Sequence, residues 1–500
     1  MFLLLALAAI LVLIMPVTVV SAADKSDLFK ENNFGGASDD TFRSVVAVPD
    51  GFVAVGYSAG DSFGTGDWED IIGVSYIHAT IVKYDRSGHV VWMREFGGNG
   101  TDQFRSVIAV QDGVIAVGYS FQESFESGDF IGITGKGGVD AIIVKFDNNG
   151  DVVWKKNFGG KGDDYFLSAV ATPDGFVVSG LATSPSFDNG DWKGVTKKGY
   201  IDAITVKFDN NGDVVWKKNF GGSVYDYFTG VTAVSDGYVA VGYSSGAYGN
   251  FDWDGYVEKG SVDAIIVKYD NNGNVVWKKN FGGGYSDYFY SVTSVPDGVV
   301  AVGYSVAESF GSGDWEGFTV KGTMGGTIVK FDNSGNVVWK KCFCGAGADQ
   351  FRYVVTVSDG VVAVGSSSAS SFGTGDWTGI EGKGYDDATA VRYDSDGEAV
   401  WIRNYGGAGG DCFYSATTTL DHIVAVGYSD ATSFGNGDWK GFYTKGARDA
   451  IIVNISTGTG YIGDDDDNNG NVDTMFLICI ALIAVIGIGV TVALLRRKGA

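Results

Sequence analysis

One short motif returns through this chain at a nearly fixed interval. Phe-Gly-Gly or a close variant starts at Phe34, Phe96, Phe158, Phe220, Phe281, Phe343 and Tyr405, giving spacings of 62, 62, 62, 61, 62 and 62 residues. Seven near-equal periods mean seven copies of one supersecondary unit, each leaning on its neighbours for a core. The 77 glycines follow no collagen period, and 45% hydrophobic with 14% aromatic residues is too apolar for a disordered chain. What remains is an all-β protein turned on glycine and packed on aromatic rings.

The copy that starts at Phe158 carries the pattern of a four-stranded unit. Phe166 to Thr172 reads as a strand, and Asp174-Gly175 suits the tight hairpin that follows it. Phe176 to Gly180 is apolar on both faces, as expected of a strand buried between two neighbouring sheets. After a loop of about 20 residues, Asp202 to Phe208 and Val214 to Phe220 flank the turn Asp209-Asn210-Asn211-Gly212. The adjacent lysines of that last strand suit an outer edge.

Seven such units predict a seven-bladed β-propeller of four-stranded blades over residues 26–456. The seventh copy ends with Asp449 to Ser456, and no VVWKKNF strand follows it. Leu28 to Phe34, ahead of the first full unit, aligns with that missing strand and predicts closure of the ring by an N-terminal strand. A β-solenoid, the rival, stacks shorter turns and has no use for a closing strand. Trp92, Trp154, Trp216, Trp277, Trp339 and Trp401 fall in the outer strand, where one large apolar group per unit packs blade on blade. Lys30 holds that place in the closing strand.

The ends of the chain read differently. Residues 2–20 are apolar and uncharged and run into Ser21-Ala22-Ala23, which makes 1–23 a signal peptide, with an uncleaved anchor as the alternative. Residues 474–495 read as a transmembrane helix followed by the basic tail 496–500, and 457–473 as an acidic spacer. These segments predict a single-pass protein of the cell membrane with its N-terminal domain extracellular. The formal charge of −24 disfavours nucleic acid as a partner. Three of the four cysteines, Cys342, Cys344 and Cys412, precede the apolar helix. Cys344 and Cys412 lie in successive linking loops and are the pair open to a bridge.

The string from Asp140 to Gly180, DAIIVKFDNNGDVVWKKNFGGKGDDYFLSAVATPDGFVVSG, resembles the β-propeller repeats of archaeal and bacterial cell-surface proteins, and the resemblance extends from Leu28 to Ser456. It implies the fold and names no activity. A looser likeness to quinoprotein propellers carries over no cofactor-binding set.

Candidate site residues lie in the long loop between the second and third strands. Each copy there holds an aromatic beside an acid, and the candidates are Trp68, Trp192, Trp253, Trp315, Trp377 and Trp439 with Asp67, Asp191, Asp314, Asp376 and Asp438. Flat rings beside carboxylates suit an extracellular glycan or protein as partner. A structural role in tying down the loop is the competing reading. The blade-linking acids Asp40, Asp102, Asp164, Asp226, Asp287, Asp349 and Asp411 fall on the same face. No cofactor is implied, and calcium is the one cation that the acidic surface suggests. No histidine recurs, and no nucleophile–base set is placed by a motif, so the expectation is a non-catalytic binding module, with a structural role in the cell envelope as the alternative.

Overall fold

The computed structural model describes residues 31–71, 76–246, 248–419 and 422–457. These residues form 28 β-strands joined by tight turns and three-residue 3-10 turns, with no α-helix among them. In the third unit the strands are Asp164–Thr172, Gly175–Thr183, Ile201–Phe208 and Val214–Phe220, paired antiparallel in sequence order. The first strand begins two residues ahead of its apolar run, because Asp164 pairs with Ala182.

The turns show why glycine is repeated. Gly175 has φ of +148°, and a Cβ there would lie 2.0 Å from the carbonyl oxygen of Phe208. In the second turn the Asp209 carboxylate accepts the backbone N–H groups of Asn211 and Asp213 at 2.8 and 2.9 Å. The turn glycine Gly212 has φ of +73°, and a Cβ there would lie 2.8 Å from the Trp154 ring of the preceding unit. The outer tryptophans therefore pack unit on unit, and Trp92, Trp216, Trp277 and Trp339 also donate Nε1–H to a turn carbonyl of the next unit. Trp401 is buried, and its Nε1 has no acceptor among the described residues. Second strands such as Gly175–Thr183 bury both faces, and the core runs between sheets as apolar clusters shared by neighbouring units.

Five sheets have four strands and one has eight. The eight-stranded sheet is joined only by the parallel pair Ile201–Tyr225. Parallel bridges such as Val139–Asp163 and Met324–Ala348 link neighbouring units elsewhere. The short strand Glu31–Phe34 pairs antiparallel with Arg448–Ser456, matching Phe34 with Ala450. The first and seventh units bond further through Val45 N–H to Ser415 Oγ at 3.4 Å and Ala47 N–H to Thr417 Oγ1 at 3.2 Å.

Two expectations are corrected. No helix among the described residues is long and apolar enough to cross a membrane, so the single-pass membrane location does not stand. Every described element is a strand or a short 3-10 turn. The stretches read as signal peptide, membrane helix and tail, the spacer beyond Thr457, and Lys30 lie outside the described residues. The bridge between Cys344 and Cys412 is absent, since both thiols are free. Cys412 is buried toward Arg352 and Ser366, whereas Cys344 adjoins Cys342.

Candidate functional site

The long loops fold back onto their own units. Trp68, Trp192, Trp253, Trp315, Trp377 and Trp439 are all 0% exposed. Each donates its indole N–H to the acid that opens the first strand. The third unit is typical: Trp192 Nε1 lies 2.7 Å from Asp164 Oδ1, while Asp164 Oδ2 accepts from Ser186 Oγ at 2.7 Å and Gly160 N at 2.9 Å. The same indole bonds reach Asp40, Asp226, Asp287, Asp349 and Asp411. Burial pushes the carboxyls of Asp40, Asp164, Asp226 and Asp411 up to about 6, against the pull of these donors. Rings without exposed surface cannot stack on a sugar, so the loop tryptophans are corrected from ligand contacts to scaffold. The second unit has Phe130 in place of tryptophan, and there Asp102 Oδ1 is buried without a donor.

The loop aspartates act between units. Asp191 Oδ2 accepts from Gly159 N at 2.9 Å and from Lys136 Nζ of the preceding unit at 2.6 Å. Asp314, Asp438 and Asp67 repeat this latch with Lys259, Lys383 and Lys445, the last joining the seventh unit to the first, and Asp252 does so with Lys198. Asp376 takes only the Cys344 N–H, at 2.7 Å, and no lysine. Burial raises its pKa. Four of the five carboxylates proposed for a ligand, Asp67, Asp191, Asp314 and Asp438, are thus engaged in holding units together. Among the described residues, no group of three or more His, Cys, Asp or Glu is arranged to hold a metal ion.

A different constellation lies on the first strands. Each of them carries a β-bulge directly after its conserved phenylalanine, as in the register shift between Phe42 and Ser44. The extra residue is left out of the ladder and its side chain is re-aimed. The seven bulge residues are Arg43, Arg105, Leu167, Thr229, Tyr290, Arg352 and Tyr414, and all of them line one cavity of about 280 Å³. The residue after the bulge ties the strands to one another. Val107 N donates to Ser44 Oγ, Ala169 N to Ser106 Oγ, Val231 N to Ser168 Oγ and Val354 N to Ser291 Oγ, at 3.2–3.4 Å. The series lapses where Gly230 and Tyr353 replace serine.

Arg43 Cζ sits 4.1 Å from the Tyr414 ring centroid and 5.5 Å from that of Tyr57, and Arg352 Cζ 4.7 Å from that of Tyr290. Tyr243, which lines the cavity, belongs to a row of packed tyrosines: Tyr227 on Tyr243 at 4.6 Å, Tyr243 on Tyr288 at 4.9 Å and Tyr288 on Tyr304 at 4.7 Å. Burial and, after it, the charge of Arg43 push Arg105 down to about 10. Sequence reading missed this set. The signal was present as variation, since the position after the near-invariant phenylalanine is among those that change from copy to copy, reading Arg43, Arg105, Leu167, Thr229, Tyr290, Arg352 and Tyr414.

No family model matches the chain, and no curated protein does. Similar solved structures include BamB from Moraxella catarrhalis, at 14% identity over 84% of this chain and 99% of that one, with a TM-score of 0.37. The WD40 β-propeller domain of Doa1 matches at 11% identity over 85% and 97%, TM-score 0.40. The β-propeller domain of the Trilobed protease from Pyrococcus furiosus matches at 9% over 87% and 100%, TM-score 0.40. Likeness at this level assigns no activity.

Proposed function

We propose that the seven four-stranded units are the blades of a closed β-propeller, and that this ring is a non-catalytic binding module for a protein partner, engaged through its central channel. Support for the ring comes from the closing strand, from the Lys445–Asp67 latch and from the serine bonds between first strands, which run from the seventh unit into the first. The observation that carries the function is the bulge position. A scaffold that keeps its phenylalanines, serines, aspartates and tryptophans nearly constant while varying one channel-facing residue per unit separates folding from recognition. Arginine and tyrosine, which dominate that position, are also the residues enriched where protein interfaces bind most strongly. The glycan alternative loses its main support with the burial of the loop tryptophans.

A photo-crosslinking amino acid placed at Leu167, with Val215 on the outer strand as control, tests this reading. The expected result is a discrete crosslinked protein at Leu167, competed by excess unmodified chain, and none at Val215. Equal crosslinking at both positions, or none at Leu167, would count against it.

A further inference from the structure

We propose that the channel accepts the carboxylate of an acidic peptide segment, held by Arg43, Arg105 and Arg352; this deepens the binding-module reading and rests on it. The cavity wall holds three guanidinium groups and no carboxylate. That is the reverse of the whole chain, which has 60 acidic against 36 basic residues. Buried cations elsewhere are matched, as Lys83 is to Asp50, Lys207 to Asp174 and Arg392 to Asp359. The three channel arginines make no ion pair with the described residues, and Nε of Arg43 and of Arg352 is buried without a protein acceptor.

Cations gathered without counter-charge are costly to a fold unless something repays them. Burial and then Arg43 lower the pKa of Arg105, which remains cationic at neutral pH, whereas at Arg352 burial is outweighed by Cys412 and the surrounding tyrosines, which raise its pKa. Tyr414 and Tyr290 each cover one face of Arg43 and Arg352, and with Nε of both buried the terminal N–H edge is the one left to a ligand. Such an edge takes a carboxylate through two parallel hydrogen bonds.

Two competing anions fit less well. An acidic sugar needs open aromatic faces, but of the rings lining the cavity Tyr414 and Tyr290 carry Arg43 and Arg352, and Tyr243 packs between Tyr227 and Tyr288. A phosphate would meet the same guanidinium edges, but it gains most where convergent backbone N–H groups add to them. Here, several of the amides that follow the bulges are bonded to the serine hydroxyls of the neighbouring strand.

Fluorescence anisotropy with labelled hexaglutamate on the full chain tests the inference. Saturable binding is expected, weakened roughly ten- to hundredfold by Arg43→Gln or Arg105→Gln, the loss expected for one charge-assisted contact. Val153→Ser on the outer strand should leave binding unchanged. Arg105→Gln removes an unmatched cation, so its melting temperature should equal or exceed the parent's, which separates lost binding from lost folding. Absence of hexaglutamate binding, indifference to both arginine substitutions, or tighter binding of inorganic phosphate or tetragalacturonate would each overturn the proposal. Crosslinking at Leu167 that persists while hexaglutamate fails would refute the acidic segment alone; loss of both would refute the binding module as well.

Discussion

Replacing Lys445 by Met isolates the contact that latches the last unit to the first. Lys445 Nζ lies 2.6 Å from Asp67 Oδ2 and 2.8 Å from the carbonyl oxygen of Asn33, in the closing strand. The paired side chains are 26% and 32% exposed, so the bond is partly shielded from water. A hydrogen bond to a charged group is worth about 1.5–3 kcal/mol when buried, and partial exposure with salt screening brings the expected loss to roughly 1–2 kcal/mol. Asp67 would keep only the Gly35 N–H, at 2.9 Å. The chain supplies its own control in Lys321, which occupies the equivalent place in the fifth unit and makes no bond to Asp376. Lys321→Met should therefore change stability by less than about 0.5 kcal/mol. Urea unfolding at 0.1 and 1 M salt measures both variants, and the Lys445 deficit should shrink at high salt. Equal losses from the two substitutions, or none from Lys445→Met, would refute the assignment of the latch.

Phe130→Trp should stabilise the protein by about 1 kcal/mol in thermal unfolding, because the new indole N–H reaches the unsatisfied Asp102 Oδ1, and Trp192→Phe should cost a similar amount or more. Gly212→Ala should destabilise by roughly 1–3 kcal/mol, since it strains a left-handed residue and drives a methyl group into Trp154. Acidification from pH 7 to pH 5 should raise the melting temperature. Asp40, Asp164, Asp226 and Asp411 bind protons more tightly folded, at about 6, than at the usual 3.8, so their contribution is complete below about 4 and lost as pH rises through 6. A flat or falling profile over that window would contradict the burial of these acids.

Much of this architecture is legible in the repeat. The Asp-Gly hairpin, the doubly apolar second strand and the lysine-bearing fourth strand each follow from a local rule, and the closing strand follows from what the seventh copy lacks. The direction of the loop tryptophans was harder to read, because an aromatic beside an acid serves a ligand or its own scaffold equally well. A numerical clue existed in the constant offset between partners, 28 residues from Asp164 to Trp192 and 27 from Asp226 to Trp253 in the shortened fourth copy. An offset that tracks the loop length marks a bond inside the unit. The channel residues were obscured for the opposite reason. Motif reading rewards what repeats, and Arg43, Arg105 and Arg352 matter where the repeat departs from itself.

The strand Glu31–Phe34 has a consequence for inheritance. Because the start of the chain finishes the unit with which the repeats end, each terminus carries a complementary fraction of one unit. Unequal recombination between two copies would delete or add a whole number of units and leave both fractions intact. Such a gene can change the number of units in its product in integer steps while conserving the strand pairing that completes the last one, and each step would add or remove one bulge residue from the set that lines the cavity.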